Sequence, residues 1–509
     1  MAGIFHFVTT LSVQEFAQAV RLALPTGQGV ESTGALLLLD SPAFDLRRRG
    51  CFLTLTTEAD ETSLSLRRLN HQATLAVAAS ARVPDAVRDI ANQTMREQLN
   101  EWIGDTRLIV VQRWWAHGLR LACRNDDGKV ECTLVAHQYR ALAPDSPPSP
   151  LLVELQPKRG YEHETAAVAR ALAQQLVWSV QEHDAFEVLE ECYLAAAAAQ
   201  CAAAPPLQQA TAPTALASWL LDHHTTMDAQ LTPGAAPQAE QLHQLRVAMR
   251  HSRSLMRAYR DVLGRDTERH FQREFRWLST ATSRLRDLDV LLAALPTPIA
   301  DYAGLTMRER QRLLSFLQHE RARDAQRLQR VLDGKRYRRL HLTWPLALAM
   351  VLNQAPADAP SIATLAAAAI GRALARLRRD IIAIETHYCP SGVHELRKQC
   401  KRLRYLVAPC ASLYSAEQVA WLQGGLKQLQ YVLGESCDRY AQLALLEGHL
   451  WRRAKSRGAA VRAALRSARL ALRQRLAVSE VGVVLGALHE FEEGRYPATL
   501  EALLKKPDL

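Results

Sequence analysis

Two kinds of hydrophobic pattern divide this chain of 509 residues. Before about residue 185, short apolar or alternating runs are separated by turn residues, which is typical of strands in an antiparallel β-meander or barrel. Helices are predicted only over 84–103, with Pro84 in the first turn, and over 165–180. The pattern therefore predicts an N-terminal α+β domain. The strand-like runs are 35–39, 52–56, 64–69, 108–114, 118–123, 130–135 and 151–155.

After about residue 215 the apolar positions recur at the period of long amphipathic helices. The intervening stretch is rich in alanine and then in proline, which indicates a helix extension followed by a linker. We therefore predict a first domain over 1–185, a linker over 186–214 and an all-α domain over 215–505, with halves of about 215–345 and 346–505. The predicted helices of this domain are 214–224, 241–263, 267–295, 306–332, 361–387, 394–414, 416–450 and 461–476.

The predicted helix 241–263 carries two parallel stripes. His243, Arg246, Arg250, Arg253 and Arg257 recur at steps of three and four residues, so they share one face. An apolar stripe runs beside them, one residue ahead. Like charges at this spacing repel one another and destabilise a helix. Buried carboxylates or an anionic ligand must therefore offset the repulsion.

The striped helix recurs once, 151 positions further along the chain. The apolar stripe is repeated together with the basic one, and Asp287 matches Asp438 at the same offset. Such a constant offset indicates an internal repeat of two similar half-domains. Two helices packed by their apolar stripes would direct both basic faces towards one groove. The matched basic positions are His243 with His394, Arg246 with Arg397, Arg250 with Lys401, and Arg253 with Arg404.

These motifs resemble the CHAD domain, the conserved histidine α-helical domain. The resemblance covers about 215–495 and rests on HxxRVxxRxxR followed by RDLDV, and on HELRKxxKRLRY followed by LKQLQxxLG. It implies two four-helix bundles that bind inorganic polyphosphate through their basic helices. One departure is His251, which follows Arg250 where the family usually has a second arginine. The predicted polyphosphate-binding residues are His243, Arg246, Arg250, Arg253, Arg257, His394, Arg397, Lys398, Lys401, Arg402, Arg404 and Lys427.

Some residues in and near these motifs are interpreted as structural or merely exposed. Asp287 and Asp438 are predicted to be buried structural carboxylates that orient stripe arginines by bidentate pairing. The paired histidines could be ordinary surface or core residues, and a basic face could be merely solvated. Arg321 and Arg323, on the predicted helix 306–332, are interpreted as such a solvated face.

The N-terminal domain resembles the CYTH domain, the triphosphate tunnel fold, in LLDSPAFDLRRRGCFLTL and LLVELQPKRG. Triphosphate hydrolysis needs carboxylates that hold a divalent metal and cations that hold the phosphates. The family's Glu-x-Glu-x-Lys is absent, since residues 4–8 read IFHFV, and its Leu-Arg-x-Arg strand is LTLT at 53–56. Glu154 and Lys158 remain in the late strand, but Gln156 and Pro157 interrupt it. We therefore predict a degenerate tunnel without catalytic or metal-binding residues; a CYTH-type triphosphatase supplied by the CHAD domain is the alternative.

The charge is concentrated in the second half of the chain. Of the formal +11, residues 211–509 contribute 45 Lys and Arg against 28 Asp and Glu, a net +17, whereas residues 1–210 have a net −6. The predicted partner of the C-terminal half is therefore a polyanion. Nucleic acid is disfavoured, because the stripes lack interleaved aromatic residues for base stacking and contain no known reading motif.

The cellular context follows from cysteine usage and hydropathy. The nine cysteines are scattered and include no CxxC, which favours free thiols in a reducing compartment over a disulfide framework or a zinc site. There is no uncharged apolar run of 18 residues and no secretory signal pattern. We expect a cytoplasmic protein without a membrane span or cofactor, associated with polyphosphate granules if the CHAD resemblance holds.

Overall fold

The structure is a computed structural model that divides the chain into two compact units. The sheet unit comprises Met1–Ala203 with Leu342–Ala355, and the helical unit comprises Ala204–His341 with Pro356–Leu509. The predicted domain limits at 185 and 215 stay a prediction. The structure describes residues 5–23, 29–58, 61–68, 71–79, 82–125, 127–141, 147–175, 179–180, 185–295, 304–356, 358–477 and 480–493.

The sheet unit is built on one antiparallel sheet, which confirms the predicted α+β class. Within the described residues, nine strands pair in the order β5-β4-β3-β2-β6-β7-β8-β1-β9. This hydrogen-bonded order ends at β5 and β9, so it forms an open sheet rather than a closed ring. The strands are β1 Phe5–Thr9, β2 Val30–Asp40, β3 Cys51–Glu58, β4 Glu61–Arg68, β5 His71–Ala79, β6 Ile109–Arg124, β7 Val130–Ala141, β8 Leu151–Pro157 and β9 Ser179–Val180.

Alternation along the strands gives the sheet an apolar face and a polar face. On the apolar face, Leu121 of β6 and Leu134 of β7 belong to a buried core with residues of helices α1 (Val13–Ala23) and α3 (Glu162–Gln175). On the polar face, Nε2 of His137 on β7 lies 3.1 Å from Oε1 of Glu58 on β3. The same face also buries Trp114, so polar groups occupy only part of it.

Two predicted strands, 108–114 and 118–123, are in fact the single strand β6. The reason is visible at Gly118, which lies inside the strand rather than at its start. A Cβ atom there would lie 2.7 Å from Oγ of Ser32 and 2.9 Å from the His137 ring. The glycine therefore permits close packing and does not mark a turn.

The helices of the sheet unit also differ from their predicted limits. The predicted helix 84–103 begins later, as α2 (Gln93–Ile103), because the side chain of Asn92 caps it by accepting a hydrogen bond from the Met95 N–H. The predicted helix 165–180 is α3, which ends at Gln175. Much of the predicted linker is helix α4 (Ala185–Ala202), which buries Tyr193 completely.

The helical unit repeats one set of helices, which confirms the predicted all-α class. Helices α8 (Arg265–Ala294) and α13 (Ala416–Leu445) lie 151 positions apart at both ends. The two halves share a buried core that includes Leu288, Leu313, Leu446 and Leu465. The helices are α5 Ala212–Ala229, α6 Ala239–Ala258, α7 Arg260–Leu263, α8 Arg265–Ala294, α9 Met307–Leu332, α10 Lys335–Asn353, α11 Ile362–Thr386, α12 Pro390–Val407, α13 Ala416–Leu445, α14 Trp451–Ala454, α15 Ala459–Ala477 and α16 Glu480–Glu493.

Several helix starts in this unit follow from local capping. Thr306 and Ser361 precede α9 and α11, and their hydroxyl groups accept hydrogen bonds from the N–H groups of Glu309 and Thr364. The striped helix is shorter than predicted, because it is interrupted at Tyr259 before α7. Helix α10 was not predicted, and its residues from Leu342 onward belong to the sheet unit.

Candidate functional site

The apolar stripes hold the two basic helices in place. On α6, Leu242, Leu245, Met249 and Met256 are completely buried. Helix α12 buries the matching positions, Val393, Leu396, Cys400 and Val407, almost completely. Burial of a leucine-sized side chain stabilises the fold by about 1.5–3 kcal/mol. These stripes therefore fix the rotation of both helices and turn their basic faces away from the core.

Helices α6, α11 and α12 border a cavity of about 880 Å³. Its lining is overwhelmingly cationic, and Asp261 is the only carboxylate among the lining residues that the structure describes. We call this cavity the basic groove. Its cationic lining residues are Arg250, Arg253, Arg257, Arg260, Arg372, Arg376, Arg379, Lys398, Lys401 and Arg402.

Several groove arginines are positioned by neutral hydrogen-bond acceptors. Nε of Arg250 donates to the Tyr405 hydroxyl at 3.4 Å, and Nε of Arg253 donates to Oε1 of Gln272 at 3.3 Å. Arg402 donates through Nη1 to the Gln399 side chain at 3.2 Å. A neutral acceptor orients a guanidinium group without cancelling its charge. The groove therefore keeps a positive field that an anion can neutralise.

The pKa values in the groove reflect this crowding of like charges. Burial, followed by Arg397 and Arg250, lowers the pKa of Lys401 to about 8. Burial also lowers the pKa of Arg253, and Arg276 and Arg257 lower it further. Proximity of like charges disfavours the protonated form of each group. A bound polyanion would relieve this repulsion, so the groove is electrostatically suited to one.

Three predicted site residues contact the next helix instead of lining the groove. Nη1 of Arg246 donates to the Ser279 carbonyl at 2.9 Å and to the Thr282 hydroxyl at 2.8 Å, both on α8. Arg404 donates to Oε1 of Gln430 on α13 at 2.7 Å. Nη2 of Arg397 lies 3.0 Å from Oδ1 of Asp438. These arginines therefore connect each basic helix to its neighbour.

The remaining predicted residues also lie outside the groove lining. Burial, followed by Arg286, lowers the pKa of His243, and burial followed by Lys398 lowers that of His394. Because the pKa of each histidine is lowered from its ordinary value, both imidazoles are mainly neutral at pH 7. Lys427 is exposed on α13. The histidines are thus placed as neutral neighbours of the cations.

The prediction that Asp287 and Asp438 are buried is wrong. Asp287 is exposed on α8, and the side chain of Asp438 on α13 is 51% exposed. Their chain neighbours Leu288 and Cys437 are the buried residues. On a helix, adjacent positions are about 100° apart, so burying the neighbour turns the carboxylate outwards.

Comparison with known proteins assigns the helical part of the chain. Residues 219–447 match the family model of the CHAD domain. This region is a CHAD domain. No curated protein matches the chain.

Several solved structures show a distant likeness to this chain. The CHAD domain from the plant Ricinus communis is 21% identical, with a TM-score of 0.45, over 54% of this chain and 90% of its own. PptA from Streptomyces chartreusis is 15% identical, with a TM-score of 0.41, over 55% of this chain and 100% of its own. A putative adenylyl cyclase from Hippeastrum, described as having a dominant triphosphatase activity, is 13% identical, with a TM-score of 0.29, over 37% of this chain and 94% of its own.

The CHAD domain also contributes cations that sequence analysis missed. Arg372, Arg376 and Arg379 of α11 line the groove together with cations of the two basic helices. Their spacing of four and three residues was a readable signal, since Leu374 and Leu377 occupy the buried face between them. The internal repeat did not indicate these three cations, because the offset of 151 places Leu221, Thr225 and Asp228 at the matching positions of the first half.

The polar face of the sheet unit carries carboxylates as well as cations. Burial raises the pKa of Tyr139, and Arg67, Glu58 and Glu154 act on it from the same face. Glu154 accepts a hydrogen bond from Nε2 of Gln156 at 2.9 Å. Lys158, the other residue retained from the CYTH motif, is exposed beyond the end of β8.

Among the helices that the structure describes, none combines the length and the apolar character needed to cross a membrane.

Proposed function

We propose that the CHAD domain binds inorganic polyphosphate in the basic groove, with the sheet unit taking no catalytic part. The observation that carries the proposal is the lining itself: ten Lys and Arg side chains and one carboxylate around about 880 Å³. Arginine offers forked hydrogen bonds to phosphate oxygens, and lysine offers a point charge. A long polyanion that spans several such contacts gains avidity. Such a protein would concentrate on polyphosphate granules in the cytoplasm.

The groove favours polyphosphate over nucleic acid. Among its described lining residues, the only aromatic one is Tyr405, and its ring lies against His251 with the centroids 3.9 Å apart. Proteins that bind single strands generally offer several aromatic platforms on which bases stack. A ligand that is held by charge alone fits this lining better than one with bases.

Titration of the full-length protein with polyphosphates of defined length tests the proposal. We expect affinity to rise with chain length until the groove is filled, and to fall with salt as counterions are released. Single-stranded DNA at the same phosphate concentration is the matched competitor. If DNA displaces polyphosphate at parity, the groove is a general polyanion site and the proposed selectivity is wrong.

The second candidate function is triphosphate hydrolysis in the sheet unit. It is favoured by Glu58 and Glu154, which share the polar face with Arg67. Two observations weigh against it: His137 contacts Glu58, and Gln156 donates to Glu154, so both carboxylates already have partners. Phosphate release from triphosphate in the presence of Mg²⁺ distinguishes the two candidates.

A further inference from the structure

Helices α5 and α10 bring two histidines and one aspartate together at a point outside the groove lining. His224 and Asp228 are four residues apart on α5 and so share a face. Nε2 of His224 lies 3.3 Å from Oδ2 of Asp228, and Nε2 of His341 on α10 lies 3.1 Å from Oδ1 of the same carboxylate. One ligand atom from each residue lies within 4.8 Å of the other two.

We propose that His224, Asp228 and His341 form a binding site for a divalent transition-metal ion, such as Zn²⁺ or Co²⁺. Two imidazoles and one carboxylate form a donor set that such ions prefer, with bonds of about 2.0–2.2 Å. In a tetrahedral site with bonds of that length, ligand atoms lie about 3.3–3.6 Å apart. The two observed distances, one to each oxygen of the carboxylate, are close to this spacing, and one ligand atom from each of the three residues lies within 4.8 Å of the others.

The site is accessible and has room for further ligands. The His341 side chain is 49% exposed and that of Asp228 is 36% exposed, whereas the His224 side chain is 13% exposed. Water can therefore complete the coordination. The Tyr337 ring lies on one side of the site, with its centroid 6.1 Å from that of the His341 ring.

A bound ion would join two distant segments of the helical unit. His224 and His341 are far apart in the sequence, and α5 packs against the basic helix α6. Since the ion binds the folded arrangement and not the separated ligands, it would stabilise the unit by mass action. The competing explanation is that the aspartate merely accepts hydrogen bonds from two imidazoles, without any metal.

The test uses untagged, full-length protein treated with chelator and titrated with Co²⁺ and Zn²⁺ in phosphate-free buffer. We expect the protein to bind one equivalent of either ion, as measured by calorimetry and, for Co²⁺, by its visible absorption. His224→Ala, Asp228→Asn and His341→Ala should each weaken binding by at least about a hundredfold, since even outer-shell changes cost 10–100-fold. His223→Ala is the matched control, because it removes an adjacent imidazole that faces His251 instead.

A second measurement guards against variants that fold poorly. Saturating metal should raise the Tm of the wild type and of His223→Ala, and should leave that of His341→Ala unchanged. Failure of the wild type to bind one equivalent would overturn the proposal. Equal binding by all variants would also overturn it, since the ion would then be held elsewhere, for example at the exposed Cys389. Neither result depends on whether the groove binds polyphosphate.

Discussion

Removal of two groove cations from α11 is the sharpest test of the proposed polyphosphate site. Arg372 and Arg376 line the groove, are exposed and lie outside both repeated stripes. Replacing both with alanine keeps the helix, since alanine has the highest helix propensity. We expect the double variant Arg372→Ala with Arg376→Ala to fold normally and to bind polyphosphate weakly.

The size of the effect can be worked out from exposure and charge. A hydrogen bond to a charged group contributes about 1.5–3 kcal/mol, and solvent screening lowers this to about 1 kcal/mol for an exposed arginine. Loss of two contacts therefore costs about 2 kcal/mol, which is about a thirtyfold loss of affinity. Each lost phosphate contact should also reduce the salt slope by about 0.7, if polyphosphate behaves like a single-stranded nucleic acid.

Calorimetric titration at several salt concentrations measures both quantities, and circular dichroism checks that the helices are intact. The matched control is Arg327→Ala with Arg330→Ala, an exposed pair on α9 that removes the same charge outside the groove lining. Arg321 is unsuitable as a control, because the prediction that it is merely solvated is wrong. Its Nε lies 2.6 Å from Oδ1 of the buried Asp289.

The two double variants must therefore differ. A thirtyfold loss in the α11 pair with less than a threefold change in the α9 pair would support recognition by the groove. Equal losses in both pairs would mean that net charge alone drives binding, and the assignment of the groove would be refuted.

Three further outcomes follow from the structure. The pKa of Lys401 is about 8 in the free protein, and a bound anion favours the protonated form, so polyphosphate affinity should be full below pH 7 and fall about tenfold between pH 7 and 9. The variant Lys401→Arg should lose this pH-dependent step. If its pH profile equals that of the wild type, the assignment of the step to Lys401 is contradicted. Arg47 donates to Glu190 through Nε at 2.5 Å and Nη2 at 2.7 Å, and the pair is nearly buried. Glu190→Ala should therefore lower the free energy of unfolding, measured by urea titration, by about 3–5 kcal/mol. A loss below about 1 kcal/mol would argue against a stabilising role of this ion pair. The full-length protein should release no phosphate from triphosphate with Mg²⁺; turnover near the enzyme median of about 10 per second, abolished by Glu154→Gln, would establish the alternative.

The repeated helices of the CHAD domain could be predicted because their information is local. Apolar residues recurring every three to four positions define a buried face wherever the helix lies, and the constant offset showed that the plan occurs twice. The stripe residues Leu242 and Val393 are accordingly buried in the structure. The antiparallel character of the sheet unit was predictable in the same way, from alternation and turn residues.

Locally ambiguous residues limited the prediction of element boundaries. Glycine is typical of turns, but at Gly118 the missing Cβ allows Ser32 and His137 of the two neighbouring strands to pack against the continuous strand β6. Pro84 suggested a helix start, whereas the Asn92 side chain caps the helix further along. The contacts of Gly118 are with residues distant in the sequence, whose positions the pattern does not reveal. The Asn92 cap is local, since it bonds to the Met95 N–H three residues further on, and was a readable helix-start signal.

Local periodicity was enough to predict the two basic helices and the faces that they turn away from the core. Which cations share a cavity could be read only from the packed helices. Arg250 and Lys401 open into the groove, Arg246 and Arg404 are held by α8 and α13, and Arg376 arrives from a helix that the repeat did not mark. The physical reason is that helix periodicity specifies a direction about one axis, whereas a site depends on how the axes of several helices pack together.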